Sequence, residues 1–361
     1  MTDTSTQTAF YASRPTIRVD GQVQVELGES GLKSLIVEET TLGLFRCEAS
    51  FINKGSKGQE VDYLYFDGRV LKFGKPFSVE FGPPGVSNPV FAGRLTGFEA
   101  QYPFQREPAL TVLAEDRFQD LRMQRRTRTF ENVTDKDVIQ QIASEHGLTA
   151  QVDVDGTTYR VLAQVNQSDL AFLRERVTAI DAQLWVDDRT LYAQARSRRK
   201  ASEITLHYPQ TLLEFSVLAD LAHQRTTVCV SGWDVGGKQA IDVQADESAI
   251  AAELNGGRSG STILDESLAQ RTERIVSAVP LSSVEARALA EARYRQRARR
   301  FVTGMGIADG NPRIRVGTLL NLEGLGPIFD GKYFVTVARH TFDLTFGYRT
   351  TFELERAGLG G

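Results

Sequence analysis

The chain runs to 361 residues, enough for two or three domains at roughly 100–150 residues each, so size places no limit on its core. Lys and Arg total 42 against 46 Asp and Glu, a formal net charge of −4 that gives no overall basicity from which to argue nucleic acid or an anionic membrane as partner. Cys47 and Cys229 cannot build a disulfide framework and read as small apolar strand residues, and no stretch approaches the roughly 18 apolar residues of a membrane-crossing helix.

Residues 1–13 are rich in Thr and Ser and read as a flexible arm, and Met1–Pro15 is too polar for a secretory leader, which implies a protein made in the cytosol. Residues 14–117 alternate apolar and polar side chains between turn signals, with Asp20-Gly21 and Asp67-Gly68 each placed to turn a hairpin. This span is expected to be a first β-barrel, with the Gly/Pro-rich loop Gly82–Pro89 projecting from one end. Arg122, Arg125, Arg126 and Arg128 then crowd one short segment. With no aromatic stacking platform or Gly-rich phosphate loop beside them, they read as a solvated basic edge strand rather than a phosphate site.

Thr134 and Asp137 form a capping box for a helix that turns Val138, Ile139, Ile142 and Ala143 to one face and ends at Gly147. A strand follows from Tyr159. Ser168 then caps a second helix whose Leu170, Leu173, Val177 and Ile180 make a single apolar stripe. A hairpin turning at Asp187-Asp188 closes a compact α+β domain, residues 118–198.

A second β-barrel is expected from residues 199–245 and 304–361, interrupted by an insertion over 246–303. Residues 246–268 are small and polar and read as an exposed loop. Ser282 and Glu285 form another capping box, opening a helix to about Arg300. Its arginines outnumber Glu285 and Glu291 and cannot all share one face. It is either a solvated helix covering a barrel end or a basic docking surface for an acidic partner, with Arg287, Arg293, Arg297 and Arg300 as the docking residues.

Much of the first barrel pattern occurs twice. Gly74–Glu80 matches Gly317–Glu323 in spacing, Phe91-Ala-Gly93 answers Phe329-Asp-Gly331, and both copies end in acid and arginine at Ala114–Arg117 and Glu353–Arg356. Leu32–Phe51 has a counterpart in Leu213–Gly232, with Cys47 and Cys229 at corresponding points. The expected fold is mainly β with α+β: two related β-barrels, an intervening α+β domain and a helical insertion in the second barrel.

Chemistry-bearing constellations are missing from the sequence. His146, His207, His223 and His340 stand far apart without metal-ligand spacing, and His340 reads as a buried residue whose nitrogens are satisfied inside the barrel. No nucleophile elbow or phosphate loop is present, and the adjacent acids Asp187-Asp188 and Glu38-Glu39 point to opposite faces. No catalytic, cofactor or metal site is expected, and the protein reads as a non-enzyme.

Tyr159–Ile180, with Ser168-Asp169 and Phe172-Leu173 at its centre, resembles the signature of phage late-control D proteins and of the hub part of type VI secretion VgrG proteins. Gly310-Asn-Pro312, Val316-Gly317, Asp330-Gly331, Tyr333, Val337, His340 and Thr350 resemble the same family's closing barrel. The resemblance implies tail-tube-like barrels and a structural signature of Ser168, Asp169, Phe172, Leu173, Gly317, Gly331, Tyr333 and His340. In it Ser168 caps, Asp169 favours the helix N-terminus, and Phe172 and Leu173 face the core. Ala182 departs from the family's Gly after the helix. The resemblance further implies a baseplate hub, made in the bacterial cytoplasm and assembled into a virion tail or injection particle. Such a hub is a homotrimeric symmetry adaptor between a six-fold tail tube protein and a three-fold spike, among other baseplate proteins. Because the chain stops after Arg356-Ala-Gly, the spike is expected to be a separate chain. No membrane segment and no specific nucleic-acid binding are expected. The alternatives are a glycan-binding or glycan-cleaving β-protein of the tail, against which Trp185 and Trp233 fall in different domains, and a nucleic-acid reader built on the arginine runs.

Overall fold

The computed structural model describes residues 14–57, 60–82, 88–199, 201–276 and 282–360. The arm expected over 1–13 and residues 83–87 of the loop Gly82–Pro89 lie outside the described residues. The first strands are β1 (Thr16–Val19), β2 (Gln22–Val23), β3 (Leu32–Thr40), β4 (Arg46–Ile52), β5 (Lys54–Lys57), β6 (Glu60–Tyr63), β7 (Pro76–Glu80), β8 (Pro89–Gln101) and β9 (Ala109–Glu115). β1 turns into β2 at Asp20 (φ 52°) and Gly21 (φ 75°), the two left-handed residues that a two-residue hairpin needs. Asp67-Gly68 makes no hairpin. There Asn53 Oδ1 accepts from Tyr65 N, Asp67 Oδ1 accepts from Arg69 N, and Lys75 Nζ donates to Arg69 O at 2.8 Å, so side chains rather than a ladder satisfy the backbone. Ile17 of β1 and Leu35 and Val37 of β3 share one core with Phe51, Phe77 and Val112, so this strand set wraps around it.

The next elements are α1 (Phe118–Arg122), β10 (Arg125–Val133), α2 (Asp135–Glu145), β11 (Thr149–Asp153), β12 (Tyr159–Ser168), α3 (Asp169–Ala179), β13 (Ala182–Asp187) and β14 (Thr190–Ala195). They enclose a core of their own that includes Phe130, Ile139, Ile142, Leu162, Leu173 and Leu191. Thr134 and Asp137 cap α2 reciprocally, and Gly147 (φ 65°) ends it. Ala182 needs no glycine-like conformation, because Asp181 (φ 55°) makes the left-handed turn one residue earlier.

The remaining elements are β15 (Glu203–His207), β16 (Leu212–Ala219), β17 (Thr227–Asp234), β18 (Gln239–Ala245), β19 (Arg258–Ser259), α4 (Gly260–Leu268), β20 (Thr272–Val276), α5 (Ser283–Arg299), β21 (Val302–Asp309), β22 (Leu319–Glu323), β23 (Gly331–Asp343), β24 (Gly347–Arg356) and β25 (Gly358–Leu359). β17 and β18, expected in the second barrel, instead form a small sheet with β20, because β16 takes β21 as its ladder partner. The loop expected over 246–268 contains α4, whose first turn is capped by Ser259 on Thr262 N and which buries Leu264. After its Ser282–Glu285 capping box, α5 lays Ala286, Ala290, Tyr294 and Ala298 on Val228 and Ile241 of the small sheet.

Among the described residues a sheet of 13 strands joins both ends of the chain, in the order β16-β21-β24-β23-β3-β4-β9-β8-β7-β1-β2, with β22 also on β23 and β15 on β22. Within it the order β7-β8-β9-β4-β3 recurs as β22-β23-β24-β21-β16. The irregularities recur too. A bulge follows Leu32 in β3 and Leu212 in β16, and another falls at Thr96 in β8 and Thr336 in β23. Gly74 N donates to Leu95 O at 2.8 Å and Gly317 N to Val335 O at 3.1 Å, so the Gly74 and Gly317 match holds in register. Three other matches shift. At the strand ends Ala114 answers Leu354, so Asp116 rather than Arg117 stands where Arg356 does. Phe91 opposite Val79 corresponds to Gly331 opposite Leu322, not to Phe329. Cys47 opposite Ala114 corresponds to Gly304 opposite Leu354, while Cys229 lies in the small sheet.

Candidate assembly site

β3 and β23 join the two copies as antiparallel neighbours, with Val37 opposite His340 and Glu38 opposite Arg339. Alternation sends Glu38 and Arg339 to one face and Val37, Glu39 and His340 to the other. Glu38 sits between Arg339 and Arg46. Burial pushes its carboxyl up, but the hydrogen bonds and charges of these arginines outweigh that and hold it below the usual range. Glu39, 1% exposed, accepts from Val316 N at 3.2 Å and pairs with Arg315, tying the loop before β22 to the first copy across 277 sequence positions.

His340 is fully buried, with Nδ1 2.9 Å from the Tyr348 hydroxyl. Its Nε2 has no partner of full hydrogen-bond geometry among the described residues, although the Ile314 backbone acts on the ring as a hydrogen-bonding group. Burial, then the Arg315 charge, push the imidazole down to about 3, which keeps it neutral. Tyr348 stacks on Phe81, with ring centroids 3.7 Å and planes 4° apart, and with Phe342 it enters the first copy's core from the second copy.

The middle body reaches this seam through Arg199, which donates to Gln183 Oε1 at 3.0 Å and lies 4.0 Å over the Trp185 ring. Gly317 is required here on two grounds: its φ is 96°, and a Cβ would meet Arg199 Nε at 3.0 Å. Tyr333 is buried, with its hydroxyl donating to Phe329 O at 2.7 Å and the Arg356 guanidinium 4.5 Å over its ring. Gly331 (φ 125°) opens β23. Glu39, Arg199 and Arg315 were not legible as a group, because their partners come from distant segments.

Ser168 Oγ accepts from Ala171 N at 3.2 Å and caps α3, while Phe172 and Leu173 are buried. Asp169 does more than complement the helix dipole. At 1% exposure it accepts from Gln164 Nε2 and Arg128 Nη2 at 2.9 Å, and lies 2.9 Å from His146 Nε2. Burial raises its pKa, but these bonds and the Arg128 and Arg126 charges bring it below its ordinary range. Arg126 and Arg128 also pair with Glu145, so the run expected as a solvated basic edge is in good part neutralised internally.

The arginines of α5 divide in the same way. Arg299 is buried and donates to Asp181 at 2.5 and 2.8 Å and to Glu253 at 2.8 and 2.6 Å, which locks α5 to the turn after α3. Arg297 is held by Glu273 at 2.6 Å. Arg287, Arg293 and Arg300 are exposed. Arg293, Arg297 and Arg300 line a groove of about 590 Å³ with His223.

Among the described residues no cluster of His, Cys, Asp and Glu could hold a metal, and no helix is long and apolar enough to cross a membrane. Tyr63 stands near Phe66 and Tyr102, but at 32° and 88° to them, so these exposed rings offer no flat platform for a sugar.

Solved structures share this fold. The 43 kDa tail protein of prophage MuSo2 from Shewanella oneidensis is similar with a TM-score of 0.71 at 13% identity, over 96% of this chain and 99% of its own. The tail protein from Neisseria meningitidis MC58 gives 0.67 at 11% identity, over 97% and 98%. An E. coli component of the type VI secretion system gives 0.57 at 13% identity, over 96% and 79%. The fold is therefore that of phage tail and type VI secretion proteins, the group that the Ser168 signature implied. Comparison with curated protein sequences gives no match. The chain belongs to the family described as the Alg8 N-terminal domain, whose model matches residues 47–343.

Proposed function

We propose that this chain is a structural baseplate hub of a contractile tail or injection machine, a homotrimer that adapts a six-fold tail tube to a three-fold spike. The observation that carries the reading is the recurrent strand order with both bulges kept. Each chain then contributes two equivalent blocks, read as two related barrels. Three chains contribute six, so one face of a closed ring repeats six times and the other three. The middle α+β body and the small sheet with α4 and α5 differ between the blocks and belong to the three-fold side. Two structural neighbours described as tail proteins, and a third as a type VI secretion component, support a structural part in such a particle. In this reading the tube protein, a spike carried by another chain and further baseplate proteins are the partners, and Arg287, Arg293 and Arg300 are free to meet an acidic one. No residue is assigned a catalytic role. Native mass spectrometry of the purified chain, with images of the particle, tests it: a trimer seated on the tube is expected, and a hexamer or a chain that never trimerises on tube or spike overturns it.

A further inference from the structure

The β3–β23 seam is one of two equivalent joints that the duplicated strand set can make, and the chain fills only one of them. β23 pairs β22 with its first residues and then, past the bulge at Thr336, offers Val337–Asp343 to β3 along the same edge. β8 is its counterpart. It pairs β7 as far as Arg94 and then, past Thr96, runs to Gln101 bonded to β9 alone among the described residues. β16, the counterpart of β3, is bonded to β21 alone among the described residues. Both edges of the second joint are therefore open.

Side chains at the two joints differ as a filled and an empty seat would. Phe342 is 5% exposed in the first copy's core, whereas its equivalent Tyr102 is 60% exposed. Val37 is sealed, its equivalent Val217 is half-buried, and Leu218, which stands where Glu38 does, is 60% exposed. Phe73, just before the matched Gly74, is 64% exposed, whereas Val316, just before Gly317, is 2% exposed under the seam.

We infer that β16 of one copy pairs antiparallel with Gly97–Tyr102 of a second copy in the register of β3 and β23. Val217 lies opposite Ala100, Leu218 opposite Glu99 and Phe215 opposite Tyr102. The stoichiometry rests on the ring reading above, while the register comes from the seam inside the chain. The occupant is a second copy because edge and cover are carried by the same chain and their equivalents already join this way. The chemistry changes between the joints: the Glu38–Arg339 charge pair gives way to Leu218 opposite Glu99, with Tyr102, Phe215 and Phe73 adding apolar area, so the ladder sets alignment and apolar burial supplies the affinity.

The test oxidises two double variants of the full chain, Ala100→Cys with Val217→Cys and Glu99→Cys with Leu218→Cys, under conditions in which native mass spectrometry reports the oligomer. Adjacent antiparallel pairs alternate between wide and narrow spacing, so one of the two variants meets the separation a disulfide accepts and should convert most of the protein to linked trimer. Ala100→Cys with Phe215→Cys, displaced by two residues, should link at least about tenfold less. Leu218→Glu, which sets a second carboxylate opposite Glu99, should lose the trimer while its thermal midpoint as monomer is unchanged. Linkage favouring the displaced pair, or none in a trimeric chain, overturns the pairing and leaves the ring standing. A chain that stays monomeric at every concentration and on its partners overturns both.

Discussion

The two copies of the strand set keep one ladder and differ in what hangs from it. In the first, β3 passes to β4 through Thr41–Phe45, whereas in the second the same step, β16 to β21, encloses the small sheet, α4 and α5. The first copy instead inserts the β5–β6 hairpin between β4 and β7, where the second needs only Gly310–Thr318. Ladder hydrogen bonds and bulges constrain many residues at once, so they survive divergence, while connections tolerate insertion and carry what is specific. Equivalent positions have diverged in chemistry as well. The β3 edge is closed by charge pairs, the β16 edge is open and apolar, and the position that holds buried Asp116 after β9 holds Arg356 at the end of β24.

The largest expected effect removes the support common to both copies. α3 donates from Arg174 to Leu42 O at 2.7 Å in the first copy's loop, and accepts at Thr178 O from Gln296 of α5 at 2.8 Å. Leu173→Asp puts an unpaired charge into a core position that is 0% exposed, which costs on the order of 4 kcal/mol or more and should leave the chain insoluble. A soluble, assembling variant would show that the stripe is misread. Next comes the seam itself. Glu39→Gln leaves Arg315 without its buried partner, about 3 kcal/mol, whereas Lys72→Met, at the exposed position that answers Arg315, should stay within about 0.5 kcal/mol in urea unfolding.

The difference between those two positions marks what the amino-acid sequence could and could not convey. Local signals were legible: Thr134, Ser168 and Ser282 cap helices where expected, and Gly74 and Gly317 (φ 80° and 96°) mark the same turn in each copy because few other residues fit it. Cys47 and Cys229 were mismatched for the opposite reason. Alternating apolar strands look alike, and sliding or exchanging one costs the pattern nothing, so only the ladder reveals that Cys47 answers Gly304. Residues 246–268 misled through their Gly and Ser content, although Ser259 acts as a cap there. The contact of Glu39 with Val316 and the Arg299–Asp181 anchor join segments with no shared periodicity, and only tertiary packing creates them.

Acid titration sharpens the comparison further. Asp116, 2% exposed, accepts from Phe45 N at 2.7 Å and Phe118 N at 2.9 Å, yet burial pushes it up to about 7. The unfolded carboxyl titrates near 3.9, so between these values the folded chain holds a proton that the unfolded chain has released. That contribution is full below about pH 4 and is lost as pH rises through 7. His340, pushed down to about 3, acts oppositely: its contribution is present above about pH 6.5 and is lost as pH falls toward 3. Between pH 5 and pH 8 Asp116 should therefore remove, and His340 add, on the order of 2 kcal/mol each, so the two nearly cancel in wild-type stability to urea. Asp116→Asn should uncover the His340 contribution as a stability that rises over this range. Arg356→Met, at the equivalent position of the second copy, should leave the near-cancellation in place, since a guanidinium does not titrate in this range.

The smallest effect separates folding from assembly. Ser168 contributes one capping bond to α3, to Ala171 N at 3.2 Å, without the reciprocal acid that completes the box at Thr134 and Asp137. Asp169 beside it keeps its bonds to Gln164 and Arg128 whatever stands at Ser168, and its charge still faces the helix N-terminus. Ser168→Ala should thus cost only about 1 kcal/mol, read as a lowered thermal midpoint. The proposed ring should persist unchanged by mass, because neither open edge of the strand sets involves α3. Leu218→Glu is its converse, stable but unable to close the ring. If Ser168→Ala instead abolished the oligomer at full monomer stability, the signature would mark a subunit contact rather than a helix cap, and the seam would no longer be the place where the two copies meet their neighbours.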